Sequence, residues 1–208
     1  MPGDEQTIHW YNEQAGAYAE RGHGKGAHPR LASFVVALPP AASVLDLGCG
    51  GGQDALALRA HGLAATGADA SAVIAAEARA RTGLDIRVME FAALADVAAF
   101  DGIWASASLH HIPAAELPLV FAAIHRALKP GGLLYASFKV GGVDRRDRFG
   151  RLYCEMSERR LRGLVADAAK WQAPEIVKAK GSGYDNEPIE WLMLTVRRAL
   201  SDPSIRSG

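Results

Sequence analysis

The apolar side chains change their period several times along the chain, and each change marks a new element. Ile8, Tyr11, Ala15 and Tyr18 recur at helical spacing between Thr7 and Glu20 and predict a short helix with one aromatic stripe. A stretch rich in glycine and histidine, 21–29, ends it. A second helix over about 29–38 opens on Pro29, where the missing N–H does no harm, and stops before Pro39 and Pro40. From there short apolar runs alternate with alanine-rich amphipathic segments. Strands are predicted at 43–48, 63–69, 85–90, 100–106 and 132–139, and helices at 52–61, 72–81 and 114–128. Such alternation implies right-handed crossovers and a parallel sheet covered on both faces. Gly62, Gly83 and the pair Gly131-Gly132 follow helical segments, where a left-handed cap is expected. Beyond 139 the pattern becomes a polar, arginine-rich loop over 141–151 and a helix over 157–169. Two apolar segments follow, near 174–180 and 189–197. With "GSGYDNEP" between them they read as a hairpin that closes the sheet with an antiparallel pair.

Composition narrows the class without naming a function. A chain of 208 residues, 49% apolar, is long enough to bury one sizeable core. Its 23 basic and 23 acidic residues leave no net field to favour nucleic acid or a membrane surface. Cys49 and Cys154 lie far apart, with no CxxC and no histidine cluster, which argues against structural zinc and against a disulfide scaffold. No leader pattern opens the chain, and no apolar run reaches the roughly 18 residues that a membrane span needs. The expectation is a cytoplasmic protein, monomer or homodimer, without a metal, a nucleic-acid partner or a membrane partner.

Chemistry concentrates in "VLDLGCGGGQD", Val44 to Asp54. Strand, glycine-rich turn and helix N-terminus together make a nucleotide site, because backbone N–H groups and the helix dipole converge where the turn lets a ligand come close. Gly48, Gly50 and Gly52 supply the turn. Asp69 ends the second strand, 19 residues after Gly50, a distance that suits an acceptor for ribose hydroxyls. The loose dinucleotide fingerprint is also satisfied, by Gly50, Gly52 and Ala55. Asp46 separates the two readings, since a carboxylate behind the loop suits a cationic ammonium and repels a pyrophosphate.

"VLDLGCGGG" resembles the first motif of class I S-adenosylmethionine-dependent methyltransferases. "TGADAS" is similar to that family's acidic turn after the second strand, "FDGIWASASLHHIP" to its fourth strand and following loop, and "LKPGGLLYASF" to the turn before its fifth. The layout also looks like the small tellurite-resistance group. The resemblance implies an α/β, Rossmann-like, doubly wound sheet of seven strands, mostly parallel with an antiparallel last strand. It implies a single domain: N-terminal helices acting as a lid over 1–40, a cofactor-binding core over 41–139, and a loop, helix and terminal hairpin over 140–208. S-adenosylmethionine is the implied cofactor. Asp46, Gly48, Cys49 and Gly50 would line its methionine side, Asp69 and Ala70 its ribose, Glu90 and Phe91 its adenine, and Ala105 and Ser106 the end of the fourth strand. Glu90 stands where the family commonly has aspartate. Tyr11, Tyr18 and Arg21 resemble a helix that closes over the cofactor, or else pack it by their aromatics.

Methyl transfer from a sulfonium needs alignment and a dry cleft more than covalent help. His110 and His111 follow the fourth strand at the ligand-binding edge of such sheets. His111 matches the family's "L-x-H" histidine and is the candidate base; the alternative is a helix cap and a solvated ring. Lys139 and the loop arginines Arg145, Arg146, Arg148 and Arg151 bring cations to that edge, and Lys139, Arg148 and Tyr153, with His110, are the candidates for binding a small, anionic acceptor, against a solvated loop as the plain alternative. The [DN]-P-P-[YFW] motif of amino methylation is absent after the fourth strand. The competing classes are a nicotinamide-dependent oxidoreductase, which Asp46 and the hairpin oppose, and a cofactor-binding regulator without catalysis.

Overall fold

The structure is a computed structural model that describes residues 3–23, 28–184 and 186–200, without the side chains of 21–23. Two helices, α1 (Glu5–His23) and α2 (Leu31–Val36), precede the alternating core. The core runs β1 (Ser43–Leu47), α3 (Gln53–Ala60), β2 (Ala64–Asp69), α4 (Ala72–Thr82), β3 (Ile86–Val88), β4 (Phe100–Ala105), α5 (Leu117–Ala127) and β5 (Leu128–Lys139). The remainder is β6 (Asp144–Arg146), β7 (Leu152–Cys154), α6 (Glu158–Ala168), β8 (Glu175–Ser182) and β9 (Pro188–Arg197).

Seven strands form one sheet in the order β3-β2-β1-β4-β5-β9-β8. β1 to β5 are parallel, and β9 runs antiparallel to both β5 and β8. The expected terminal hairpin and antiparallel last strand are both present. Because β2 and β4 flank β1 on opposite sides, the order reverses there, and a crevice opens beyond the carboxyl ends of β1 and β4.

Strand alternation divides the interior into two layers. Leu45 and Leu47 of β1, Ile103 of β4, Leu134, Ala136 and Phe138 of β5 and Leu192 of β9 pack with Phe121 of α5 and Leu161 of α6. The opposite positions Val44, Trp104, Leu133 and Tyr135 pack with Phe34 of α2 and Leu58 of α3. Gly102 makes room for the second layer, since a Cβ there would lie 2.8 Å from the Phe34 ring. Helix ends follow local chemistry. The Ser71 hydroxyl accepts from Ile74 N–H at 3.0 Å to start α4, and Gly83 at φ 66° ends it.

The segment read as an open loop over 141–151 departs from expectation. Its two ends pair as the hairpin β6–β7, Arg145 opposite Tyr153, and β7 carries the buried Tyr153 and Cys154. Asp4 on Arg146 (2.7 Å) and the Thr7 hydroxyl accepting from Leu152 N–H (2.8 Å) clamp this hairpin to α1. The 19-residue α1 outlasts its predicted end at Glu20. Among the described residues no helix is long and apolar enough to cross a membrane, and no cluster of side chains could hold a metal ion.

Candidate functional site

β1 leads into the glycine turn because three residues adopt the left-handed region that favours glycine: Gly48 at φ 79°, Gly50 at 52° and Gly52 at 80°. A Cβ on Gly48 would collide with Ser108, and one on Gly50 would meet the Tyr18 ring at 2.9 Å. The turn is therefore held open beneath a side chain of α1. Asp69, at the end of β2, accepts from Gly50 N–H (3.0 Å) and Ser71 N–H (2.9 Å). Burial raises its pKa, and those N–H groups oppose the rise.

Three chambers open around this turn. The first, about 70 Å³, is lined by Asp69, Ala70, Glu90, Phe91, Gly48 and Gly50, with Tyr11 and Tyr18 above. Glu90 accepts from Gly3 N–H at 2.8 Å, so the N-terminal segment reaches across this chamber. Phe91 has a double placement, lining the chamber and packing against the larger core layer. The Ser71 hydroxyl bonds Asn12 of α1 at 2.6 Å and pins the lid helix to the same wall.

The second chamber, about 400 Å³, lies beneath the other side of the turn, with Asp46, Cys49, Asp54 and Ser106 in its walls. Asp46 is only 2% exposed, and its Oδ2 has no hydrogen-bond partner. Burial first, then the nearby charge of Asp54, pushes its pKa well above the usual carboxylate range, against a hydrogen bond from the Ala55 backbone. Cys49 is buried, and burial likewise pushes its thiol up.

The third chamber, about 190 Å³, joins the other two at Tyr18 and Ala107 and holds His110, His111, Lys139, Arg151, Tyr153 and Trp191. His111 Nδ1 lies 2.7 Å from the Leu152 carbonyl, so it carries the proton, and Nε2 is left as acceptor for the Tyr11 hydroxyl at 2.9 Å. Burial lowers the His111 pKa to about 3, and burial lowers that of His110 well below the usual value, so both rings are neutral near pH 7. Burial raises the Tyr11 pKa to about 12. His111 therefore sits in the cleft as a neutral, oriented ring rather than a base poised near neutrality.

The expected residues thus fall into two overlapping groups, with Tyr11, Tyr18 and His111 lining both the first and the third chamber. Asp46, Gly48, Cys49, Gly50, Asp69, Ala70, Glu90, Phe91, Ser106, Tyr11 and Tyr18 wall the first two chambers. His110, His111, Lys139 and Tyr153 wall the third. Two expected residues, Ala105 and Arg148, line none of the three chambers. Ala105 is fully buried in the core layer beneath β4, because strand alternation turns its side chain away from the crevice. Arg148 sits at the exposed tip of the β6–β7 hairpin over the Phe149 ring, 4.7 Å from its centre, and not in any of the three chambers. The register of that hairpin brings in Arg151 instead, 2% exposed and bonded through two nitrogens to Asp147 at 2.7 and 2.9 Å. The side chain of Arg21 lies outside the described residues. Trp191 and Tyr184 were not anticipated. The antiparallel register setting Trp191 opposite Lys139 puts the start of β9 at the crevice, and Tyr184 stacks on Tyr18 with ring centres 5.8 Å apart.

Comparison with known proteins agrees with this fold. Residues 44–132 match a family model described as a methyltransferase domain. An uncharacterised methyltransferase of Synechocystis sp. is 34% identical over 100 residues, 47% of this chain, and the chain spans about half of that relative, 47% of its length. The 1,6-didemethyltoxoflavin-N1-methyltransferase of Burkholderia thailandensis, solved with 1,6-didemethyltoxoflavin and S-adenosylhomocysteine, superposes with a TM-score of 0.71 at 22% identity, covering 93% of this chain and 88% of that one. An S-adenosylmethionine-dependent methyltransferase of Methanosarcina mazei superposes at 0.70 and 19% identity, covering 85% of this chain and 100% of the other. At these identities the structural likeness establishes the fold alone, while the family match covers residues 44–132. Residues 44–132 thus resemble a methyltransferase domain, and the chain has the fold of the S-adenosylmethionine-dependent methyltransferases on which it superposes.

Proposed function

We propose that this protein transfers a methyl group from S-adenosylmethionine to a small, anionic acceptor held in the 190 Å³ chamber. The observation that carries this reading is Asp46. A buried carboxylate with an unpartnered oxygen, next to a glycine turn, offers a place for the ammonium group of a methionine tail. The same carboxylate would repel the pyrophosphate of a nicotinamide dinucleotide, the alternative ligand for such a turn.

The residues divide the work. Asp69 would accept from the ribose hydroxyls while it keeps the Gly50 N–H fixed, and the wall of Glu90 and Phe91 would flank the adenine. When bound, S-adenosylmethionine supplies an electrophilic methyl on a sulfonium. Tyr18 and Ala107, shared by all three chambers, mark where that methyl would face the acceptor. The acceptor's lone pair forms the new bond while the carbon–sulfur pair returns to sulfur as a thioether, so an already ionised acceptor needs no base. Tyr11, Tyr18 and Tyr184 cover the reacting centre and exclude water, and neutral His111 holds the Tyr11 hydroxyl in place. Lys139 and Arg151 favour a negatively charged acceptor. A small molecule also matches what the Burkholderia relative binds.

Titration calorimetry with S-adenosylhomocysteine and with NAD tests the cofactor. Binding of the first and not the second is expected, and the reverse would overturn the reading. A product screen with labelled methyl donor then tests turnover, and binding without transfer to any of a broad set of small molecules would favour a cofactor-binding regulator.

A further inference from the structure

The third chamber has a composition that the transfer reaction alone does not require. Its walls include the rings of Tyr11, Tyr18, Tyr153, Tyr184 and Trp191 with both imidazoles. Within this aromatic shell are two cationic side chains, Lys139 at 7% exposure and Arg151 at 2%. No carboxylate is found among the described residues lining it. The Lys139 ammonium lies over the Tyr153 ring, 3.4 Å from its centre, and the Arg151 guanidinium lies 5.5 Å from that ring and 5.1 Å from Tyr184. Arg151 pairs with Asp147, and Lys139 and Arg151 each disfavour protonation of both histidines, with Asp147 opposing them at His111. Lys139, Arg151 and Tyr153 line this chamber and neither of the other two, whereas Tyr18 and Ala107 are shared by all three.

A closed apolar cavity of about 150 Å³ takes one benzene ring, so the 190 Å³ of this chamber is room enough for one ring with a small substituent. Rings prefer edge or offset contact with other rings, so a planar aromatic guest fits these walls better than a saturated one of equal size.

We propose that the chamber binds a one-ring aromatic acid, its carboxylate or equivalent oxyanion held by Lys139 with Arg151 at the inner end and its reacting atom turned toward Tyr18 and Ala107. This deepens the methyl-transfer reading and rests on it for the direction in which the acceptor faces. The charge and the ring are recognised separately, which makes each separately testable.

The test uses the whole protein and three probes of one shape, benzoate, benzamide and benzylammonium, with cyclohexanecarboxylate as the saturated control. Binding is followed by calorimetry with and without saturating S-adenosylhomocysteine. Benzoate is expected to bind in both conditions without displacing S-adenosylhomocysteine, at least about tenfold more tightly than benzamide. It should bind about two- to tenfold more tightly than cyclohexanecarboxylate, and benzylammonium should not bind. Lys139→Met should lose at least about tenfold in benzoate affinity and Lys139→Arg much less, with S-adenosylhomocysteine affinity unchanged in both. Equal binding of the three benzene probes, no benzoate binding at about 10 mM, or competition between benzoate and S-adenosylhomocysteine overturns the proposal without use of a variant. So does a folded Lys139→Met protein that keeps its benzoate affinity or loses S-adenosylhomocysteine instead. Failure of the parent to bind S-adenosylhomocysteine, with benzoate selectivity intact, would remove the methyl-transfer reading and leave the aromatic-acid chamber standing.

Discussion

Binding of S-adenosylhomocysteine should expel a proton from Asp46. This carboxyl is 2% exposed, one oxygen has no partner, and burial followed by the charge of Asp54 holds its pKa well above the ordinary value of 3.8. An ammonium placed against it stabilises the ionised form. Below the raised pKa each binding event releases one proton, so affinity should climb with pH by up to tenfold, about 1.4 kcal/mol, per unit, and level off above it. The two histidines of the cleft do not supply this slope, because both are held neutral well into the acid range, His111 down to about 3. Asp69 is raised as well, so the control is Asp46→Asn, which removes only one of the two proton sources. For the ligand-free fold the sign is opposite. A raised carboxyl contributes stability that is complete below about 3.8 and is lost as pH rises through the folded value. Asp46→Asn should therefore be at least as stable as the parent at neutral pH while binding S-adenosylhomocysteine more weakly by about 1.5–3 kcal/mol. Calorimetry from about pH 5 to about pH 9, in buffers of different ionisation enthalpy, reads the released proton directly. A flat affinity profile, no buffer-dependent heat, or the same slope in Asp46→Asn would refute the reasoning.

Other perturbations address the remaining walls. Asp69→Ala removes the acceptor for two N–H groups and for the ribose, so chemical denaturation should show a loss of about 1–3 kcal/mol and calorimetry a weakening of S-adenosylhomocysteine binding by about 1.5–3 kcal/mol. Gly50→Val forces a branched residue to φ 52° and drives its Cβ against Tyr18, which should cost about 1–3 kcal/mol of stability and at least tenfold in cofactor affinity; a variant that binds as the parent does would remove the turn from the site. Folded-state values lowered at His110 and His111 mean that their contribution is complete above about 6.5 and is lost as pH falls, so acid unfolding should steepen by up to about 1.4 kcal/mol per pH unit for each ring, less for the partly exposed His111, and His110→Asn should flatten the curve.

Local sequence determined the repeating part of this protein. The glycines of the turn are legible because only glycine adopts three left-handed conformations within five residues at little cost, and Asp69 is legible because β2 has a fixed length and ends beside the turn. The alternation of strand and helix, and the hairpin with "GSGYDNEP" at its bend, follow from periods that each segment carries within itself. Tertiary structure alone decided the third chamber. The run of arginines at 145–151 has one composition throughout, yet the pairing of β6 with β7 sends Arg148 to an exposed tip and Arg151 into a buried aromatic cage. The antiparallel register of β9 on β5 sets Trp191 beside Lys139 across a gap of 52 residues, and the docking of α1 brings Tyr11 onto His111 across 100. Periodicity reports which face of an element is apolar, whereas such meetings depend on register and on how separate elements dock, quantities that no short stretch of chain encodes.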